Sequence, residues 1–233
     1  AVLVLLVLIT ESLALGSRTL SPEEVWQGFL AYDNSVASKV VWGLRIHRTI
    51  LAIVVGASLA VAGVVMQALT RNPLAEPGIL GVNAGASLAV VAAIGGLGLT
   101  SVNQYLPFAF AGAAAAAVLV HMMSRRSADS GPARLVLAGV ALGASLSSIT
   151  GTITMYNSKI FDSYRFWVVG SLENRKLEVL LWVAPFLAVG LVLALASAHS
   201  LNALALGDEQ ATALGVNLAV VRGVAFVALT LLC

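Results

Sequence analysis

Five long stretches of this 233-residue chain contain no aspartate, glutamate, lysine or arginine, and they constrain its fold more than any other feature. They are 50–70, 79–99, 107–120, 135–157 and 179–198. Most of them approach or exceed the ~20 residues that a helix needs to cross about 30 Å of hydrocarbon. Only 10% of the residues are charged and the mean hydropathy is +0.96, whereas soluble domains carry about 25% charged residues. The sequence therefore predicts an integral membrane protein.

Two more apolar runs lie near the ends of the chain, at 1–16 and 216–233. Adding them predicts about seven membrane-spanning helices, of which the first and the last are incomplete. All the runs are continuous and rich in Ala, Leu, Val and Gly, whereas the strands of a membrane β-barrel show short alternating segments. We therefore expect an all-α integral membrane protein, a polytopic helical bundle, with 1–233 as a single transmembrane domain.

Residues that carry chemistry are scarce in this sequence. The uncharged runs have no ionisable residue at their centres, where proton-coupled and voltage-sensing proteins usually place one. His47, His121 and His199 lie near run ends, and no carboxylate or cysteine cluster joins them. There is neither a nucleophile with a partner base nor a glycine-Lys-Ser/Thr phosphate loop, and the net charge of +2 is too small to indicate nucleic-acid binding. We expect no catalytic residue, metal or cofactor on this chain. If the protein moves a substrate uphill, the energy has to enter through another subunit.

Small residues recur at helical spacing, and pairs of them four residues apart let helix backbones approach closely in membranes. They are Gly56, Ala60 and Gly63, then Gly81 with Gly85, and Gly139 with Gly143. One of these faces extends into weakly polar residues. It comprises Gly139, Gly143, Ser147, Thr150 and Thr154, at spacings of 4, 4, 3 and 4. This stripe suits either the wall of a water-filled path or hydrogen bonding between helices.

The polar segment 199–217 predicts a short capped helix outside the membrane. Asp208 is a suitable N-cap and Gly215 a suitable C-terminal stop, while Ala211 and Leu214 are expected to share an apolar face. Such an amphipathic helix suits either docking into the groove of a partner or lying at the membrane interface.

Five segments together are similar to one known family. They are RIHRTI at 45–50, GVVMQALTRNPLAEPGILGVNAGAS at 63–87, LVLAGVALG at 135–143, RFWVVGSL at 165–172 and LNALALGDEQATALGV at 201–216. In this order they resemble FecCD-like permeases, the membrane subunits of type II ABC importers for ferric siderophores, haem and cobalamin. Members of that family have ten spans, so the resemblance implies that about seven of ten are present and that the sequence is incomplete at its C-terminus.

The resemblance also implies a set of partners in the cytoplasmic membrane of a bacterium. A second permease copy or a paralogue would form a central path with this chain, two ATPase subunits would bind ATP below it, and an extracytoplasmic binding protein would deliver the ligand. The loops at 17–49 and 158–177 would then lie outside. They belong to the set of loops that holds eight of the 13 Lys and Arg residues, so the family orientation runs against a weak preference of the positive-inside rule.

Site residues follow from the resemblance position by position. Arg45 and Arg48 match external arginines that pair with glutamates on the binding protein, although His47 stands where the family usually has proline. Asn72, Pro73 and Leu74 match part of the cytoplasmic gate. The residues that match the path-lining span are Gly143, Ser147, Thr150 and Thr154.

The segment 199–217 matches the cytoplasmic loop that docks on the ATPase. Glu209, Ala211 and Gly215 resemble the family's Glu-x-Ala-x3-Gly pattern. The residues implied in ATPase coupling are Gly207, Asp208, Glu209, Ala211, Leu214 and Gly215.

The ligand class is the most specific of these expectations. RFWVVGSL at 165–172 resembles siderophore permeases more than cobalamin permeases, so ferric siderophores are the expected cargo. A haem or cobalamin permease of the same family is the alternative. An ATP-independent channel or secondary transporter is a second class of function, and an intramembrane enzyme a third.

Overall fold

The computed structural model describes residues 2–16, 20–30, 35–99, 101–125, 132–172 and 177–233, and every regular element in these ranges is helical. The helices are α1 (Val2–Ala14), α2 (Pro22–Leu30), α3 (Val36–Val40), α4 (Ile46–Thr70), α5 (Val82–Leu97), α6 (Val102–Arg125), α7 (Pro132–Met155), α8 (Ser158–Val169), α9 (Leu177–Ala205), α10 (Asp208–Ala213) and α11 (Leu218–Leu232). A π-helical turn at Val41–Arg45 joins α3 to α4, and a 3₁₀ turn at Pro77–Leu80 precedes α5.

Seven of these helical segments are apolar, and they correspond to the seven runs in the sequence. Four are long and apolar enough to cross a membrane, namely Val36–Thr70, Val102–Ser124, Ala133–Met155 and Glu178–Ala205. Three are shorter, namely Val2–Ala14, Val82–Leu97 and Leu218–Leu232. The prediction of an all-α, multi-pass membrane bundle is confirmed.

The chain divides into two compact units, and the first comprises Ala1–Ala57 with Ser171–Val183. It contains α1, α2, α3 and the start of α4. Its aromatic side chains stack in a row, since the ring centroids of Trp26 and Phe29 are 6.5 Å apart and those of Phe29 and Trp42 are 5.7 Å apart.

The second unit comprises Ser58–Gly170 with Ala184–Cys233 and holds the main core. Its tightest helix crossing joins α5 to α6 at Gly85 and Gly112. A Cβ atom at either glycine would overlap the carbonyl oxygen of the other, and one at Gly85 would also lie 2.5 Å from the Cβ atom of Ala116. The sequence prediction that Gly85 permits close packing is confirmed. By contrast, a Cβ atom at Gly56 or Gly63 would meet nothing within 4 Å.

Contacts within the second unit show which helix ends lie together. Arg71, just after α4, reaches Leu204 near the end of α9, and His121 near the end of α6 packs edge-on against Phe226 of α11. The linker between α4 and α5 therefore lies at the same end of this unit as the linker between α9 and α11.

The helix limits differ from the predicted ones in four places. α6 begins at Val102 and includes Pro107, because one missing hydrogen bond near a helix start is tolerated in an apolar bundle. The predicted connection at 158–177 contains the helix α8, which Asn157 caps by accepting from the Lys159 and Ile160 amides at 3.0 and 3.4 Å. α9 continues to Ala205, and α5 begins at Val82 after the 3₁₀ turn. Parts of the predicted loops, at 17–19, 31–34, 126–131 and 173–176, lie outside the described residues.

Candidate functional site

The linker that is predicted to contribute to a cytoplasmic gate is a compact turn, and we call residues 71–76 the gate loop. α4 ends at Thr70, and Arg71 has a left-handed φ of 52°. The Asn72 side-chain oxygen accepts a hydrogen bond from the Leu74 amide at 2.9 Å, and its carbonyl accepts one from the Ala75 amide at 3.1 Å. These bonds form a local turn in which asparagine mimics the backbone. Leu74 is 87% exposed, so it projects from a rigid turn.

The gate loop is anchored to α7 through the 3₁₀ turn that follows it. Leu80 is fully buried, and a Cβ atom at Gly139 would lie 2.9 Å from the Leu80 Cα atom. Gly81 has a φ of 71°, and a Cβ atom there would lie 3.1 Å from the Gly139 carbonyl oxygen and 3.3 Å from the Gly143 nitrogen. Only glycine allows this approach, so the sequence prediction of close packing at these glycines is confirmed.

The segment that is predicted to dock on an ATPase contains α10, and we call residues 206–217 the coupling segment. It ends in a Schellman motif, in which the Val216 amide donates to the Ala211 carbonyl at 3.0 Å and the Gly215 amide to the Thr212 carbonyl at 2.9 Å. Gly215 has a φ of 82°, so its predicted role as the stop of this helix is confirmed. Asn217 then caps α11.

Asp208 does not cap α10, contrary to the sequence prediction. Gly207 is the N-cap residue, and Asp208 is the first helical residue. Its carboxylate instead pairs with two arginines. Oδ2 accepts a hydrogen bond from Nη2 of Arg222 at 2.7 Å, and Oδ1 accepts one from Nη2 of Arg71. The Nε atom of Arg71 also donates to the Leu204 carbonyl oxygen at 2.8 Å.

The outward side of the coupling segment is apolar and acidic. Leu206 and Leu214 are 60% and 66% exposed, and Glu209 is also exposed. Ala211 is fully buried in the core, so the prediction that it shares a face with Leu214 is wrong. Leu214 is the C-cap residue, with a φ of −81° and a ψ of 6°, and helical spacing no longer applies there. Beside it lies a groove of about 780 Å³, whose lining includes His199, Asn202, Leu206, Leu214, Val216 and Val220.

The predicted path-lining residues on α7 have unequal surroundings. Thr150 and Thr154 are buried, and their hydroxyls donate to carbonyls of their own helix, Leu146 and Gly151, each at 2.8 Å. Ser147 is exposed, whereas Gly143 is half-buried beside Gly81. The role of this stripe in a path stays a prediction.

The two arginines predicted to bind the extracytoplasmic partner also differ. Arg45 is 5% exposed, and its Nη1 atom donates to the carbonyls of Leu13 and Ala14 at 2.7 and 2.8 Å. A cation is favoured there because the last carbonyls of a helix have no intrahelical donor. Arg48, in the first turn of α4, is exposed. In this arrangement Arg45 is engaged within the chain, and the docking role of both residues stays a prediction.

The sequence did not reveal Arg71 and Arg222 as site residues. Arg71 directly follows the uncharged run at 50–70, and its partner Asp208 lies 137 residues away. No local spacing connects residues at such a separation. In the described part of the chain, no group of three His, Cys, Asp or Glu side chains is placed to hold a metal.

Comparison with known proteins gives a family match over residues 3–233, to the FecCD transport family. The permease protein of the ferric enterobactin transport system of Escherichia coli (strain K12) is 41% identical over 234 residues, which cover 99% of this chain and 70% of that protein. The permease protein of an Fe(3+)-citrate import system of Bacillus subtilis (strain 168) is 40% identical over 211 residues, covering 91% of this chain and 62% of that protein.

A solved structure is also similar. It is described as an inward-facing conformation of a metal-chelate type ABC transporter, and it matches with a TM-score of 0.80 and 28% identity. The match covers 99% of this chain and 71% of that chain. The chain thus spans between about three fifths and seven tenths of the length of these three proteins.

Proposed function

Because this chain belongs to the FecCD transport family, we propose that it is the permease subunit of an ATP-driven importer of ferric siderophores in a bacterial cytoplasmic membrane. It carries out no covalent chemistry in this role, and ATP is hydrolysed on partner subunits. One observation carries the proposal beyond family membership. The gate loop and the coupling segment, 137 residues apart in sequence, are in direct contact through Arg71 and Asp208.

This contact matters because an ATP-driven permease has to pass movement from its ATPase to its gate. The coupling segment presents Leu206, Leu214 and Glu209 outward, while Ala211 fixes it to the core. Exposed apolar side chains on a short rigid helix suit insertion into a groove of a partner. We therefore assign the coupling segment to ATPase docking and Leu74 of the gate loop to closure of the path.

The path itself is assigned to the interface with a second permease copy or a paralogue. Ser147 lies on the exposed side of α7, and it is the member of the predicted stripe with access to such an interface. Thr150 and Thr154 support this wall from behind through their packing within the chain. An extracytoplasmic binding protein delivers the ligand, and Arg48 is its candidate contact.

Ferric siderophores are the proposed cargo because the relatives named above transport ferric chelates according to their names, and because RFWVVGSL at 165–172 resembles siderophore permeases. In the test, the full-length permease is expressed together with its ATPase and binding protein in cells that lack their own permease. Uptake of radiolabelled ferric enterobactin is measured against competing ferric citrate, haem and cobalamin. Uptake of radiolabelled haem or cobalamin by the same cells, without uptake of ferric enterobactin, would assign the other cargo.

The ATPase contact is tested with two glycine variants of equal strain. Gly215 and Gly98 both have positive φ, 82° and 66°, and a Cβ atom at either would meet nothing within 4 Å. Gly215→Val is expected to abolish co-purification of the ATPase and ATP-dependent uptake. Gly98→Val, at the turn after α5, is expected to preserve both. Equal ATPase binding by the two variants would contradict the docking assignment, and uptake that survives loss of the ATPase would indicate a channel or secondary transporter.

A further inference from the structure

Arg71 makes the contact between the gate loop and the coupling segment with one planar group. Its Nε atom donates to the Leu204 carbonyl in the last turn of α9 at 2.8 Å, and its Nη2 atom donates to Asp208 at the start of α10. The rigid fork of a guanidinium fixes the direction of both contacts, which a lysine amine cannot do. Arg71 thus touches both sides of the hinge where α9 turns into the coupling segment.

Asp208 is held from two sides by arginines of different origin. Arg222 belongs to α11, only 14 residues along the chain, whereas Arg71 is the first residue of the gate loop. The two arginine side chains are similarly exposed, at 21% and 28%, and the Asp208 side chain is 33% exposed. Each arginine binds one oxygen of the Asp208 carboxylate. The two ion pairs are therefore matched in chemistry and exposure, but only the Arg71 pair connects the coupling segment to the gate loop.

We expect a displacement of Arg71 to move Leu74 as well. Asn72 closes a turn on the Leu74 and Ala75 amides, so the three residues after Arg71 move as one piece. Ala75 is 4% exposed and sits in the core, which gives this piece a pivot.

We propose that Arg71 is a positioning residue that transmits movement of the coupling segment to the gate loop, with Asp208 as its partner, whereas Arg222 binds the same carboxylate from α11 and has no part in this transmission. This inference rests on the proposed function. It assigns the two arginines different roles, although they bind the same carboxylate.

The experiment compares Arg71→Asn with Arg222→Gln in the full-length permease, assembled with its ATPase and binding protein in liposomes. Asparagine is chosen because it tolerates the left-handed φ of 52° and keeps the turn. The measured quantity is ferric enterobactin transported per ATP hydrolysed. For Arg71→Asn we expect this ratio to fall about tenfold while ATPase binding is retained, since coupling between sites of this kind ranges from roughly 5-fold to 150-fold. For Arg222→Gln we expect the ratio of the unmodified protein.

Equal ratios in the two variants, whether both normal or both reduced, would overturn the inference and leave Arg71 a structural residue. Failure of the proposed function looks different, because then the unmodified protein itself would show no ATP-dependent transport. If Arg71→Asn does not assemble with the ATPase and the binding protein, the same ratio is measured for Arg71→Lys. It keeps the charge but cannot hold both contacts, so a lowered ratio with normal ATPase binding supports the inference and an unchanged ratio overturns it.

Discussion

At the scale of single residues, the two arginines of the RIHRTI segment illustrate how burial separates similar side chains. Arg45 lies in the π-helical turn and donates to carbonyls at the end of α1, whereas Arg48 lies in the first turn of α4 and is exposed. Sequence reasoning treats them alike because their spacing and charge are alike. Only the fold shows that the carbonyls of Leu13 and Ala14 take up the Arg45 guanidinium.

We predict that Arg45→Met lowers the free energy of unfolding in detergent by about 1–3 kcal/mol, because two carbonyl groups lose a charged donor in a buried setting. Arg48→Met, which changes an exposed side chain, is the matched control and is expected to change the free energy of unfolding by about 0.5 kcal/mol or less. Thermal unfolding followed by circular dichroism measures both. Equal effects of the two substitutions would contradict the structural role of Arg45.

Leu74 allows a test of the gate at a single side chain. Because it is 87% exposed, Leu74→Ala is expected to leave stability unchanged. If Leu74 closes the path, the substitution raises the leak of ferric enterobactin from loaded liposomes without ATP by about fivefold or more, in the range of coupling effects between sites. Leu97→Ala, an exposed leucine at the end of α5 (62%), is the control and should leave the leak unaltered. If liposomes with Leu74→Ala leak no faster than those with the unmodified protein, Leu74 does not close the path.

At the scale of helices, close crossings depend on glycine only where another backbone lies within reach. The small-residue pattern occurs on α4, α5 and α7, yet Gly85 meets α6 while Gly63 on α4 meets nothing within 4 Å in the described chain. Sequence spacing alone therefore identifies where a close approach is allowed and not where it occurs.

We expect Gly85→Ala to lower the free energy of unfolding by roughly 2 kcal/mol or more, because overpacking in a well-packed interior typically costs 1–3 kcal/mol and here the Cβ atom would overlap a carbonyl. Gly63→Ala adds the same methyl group within a helix, where alanine is the better helix former, and should be neutral or stabilising. Unfolding in mixed micelles gives both values. A neutral Gly85→Ala would mean that α5 and α6 can separate at no cost.

The course of the helices was largely predictable from hydropathy, and the joints between them were not. All seven apolar runs appear as helices because uncharged stretches of this length have few alternatives in a membrane. The prediction failed at the end of α9, where polar His199 and Asn202 suggested a loop. Leu201 and Leu204 are buried in the core and keep the helix continuous to Ala205. Likewise, Asp208 is a suitable N-cap by local sequence, but in the structure its carboxylate pairs with Arg71 and Arg222.

At the scale of the whole molecule, the proposed importer depends on recognition by two different partners. In this proposal the coupling segment offers apolar side chains to the ATPase, whereas Arg48 offers charge to a binding protein. Contacts of the second kind act mainly on association and are weakened by salt. The two interfaces are therefore distinguishable by ionic strength: the ATPase contact should persist in salt, and binding-protein capture should not.

This difference leads to a prediction for Arg48. In the proposed dimer each permease would present one Arg48, and Arg48→Glu would replace attraction by repulsion if each lobe of the binding protein offers a glutamate there. We expect the Kd for the binding protein to rise about tenfold at low salt, or roughly 1.4 kcal/mol, and the loss to shrink as salt is added. Surface plasmon resonance on the full-length assembly measures it. Lys39→Glu, an equal charge change on an exposed residue of α3, controls for net charge. If both variants weaken capture equally, general charge accounts for the association, and a specific role for Arg48 is ruled out.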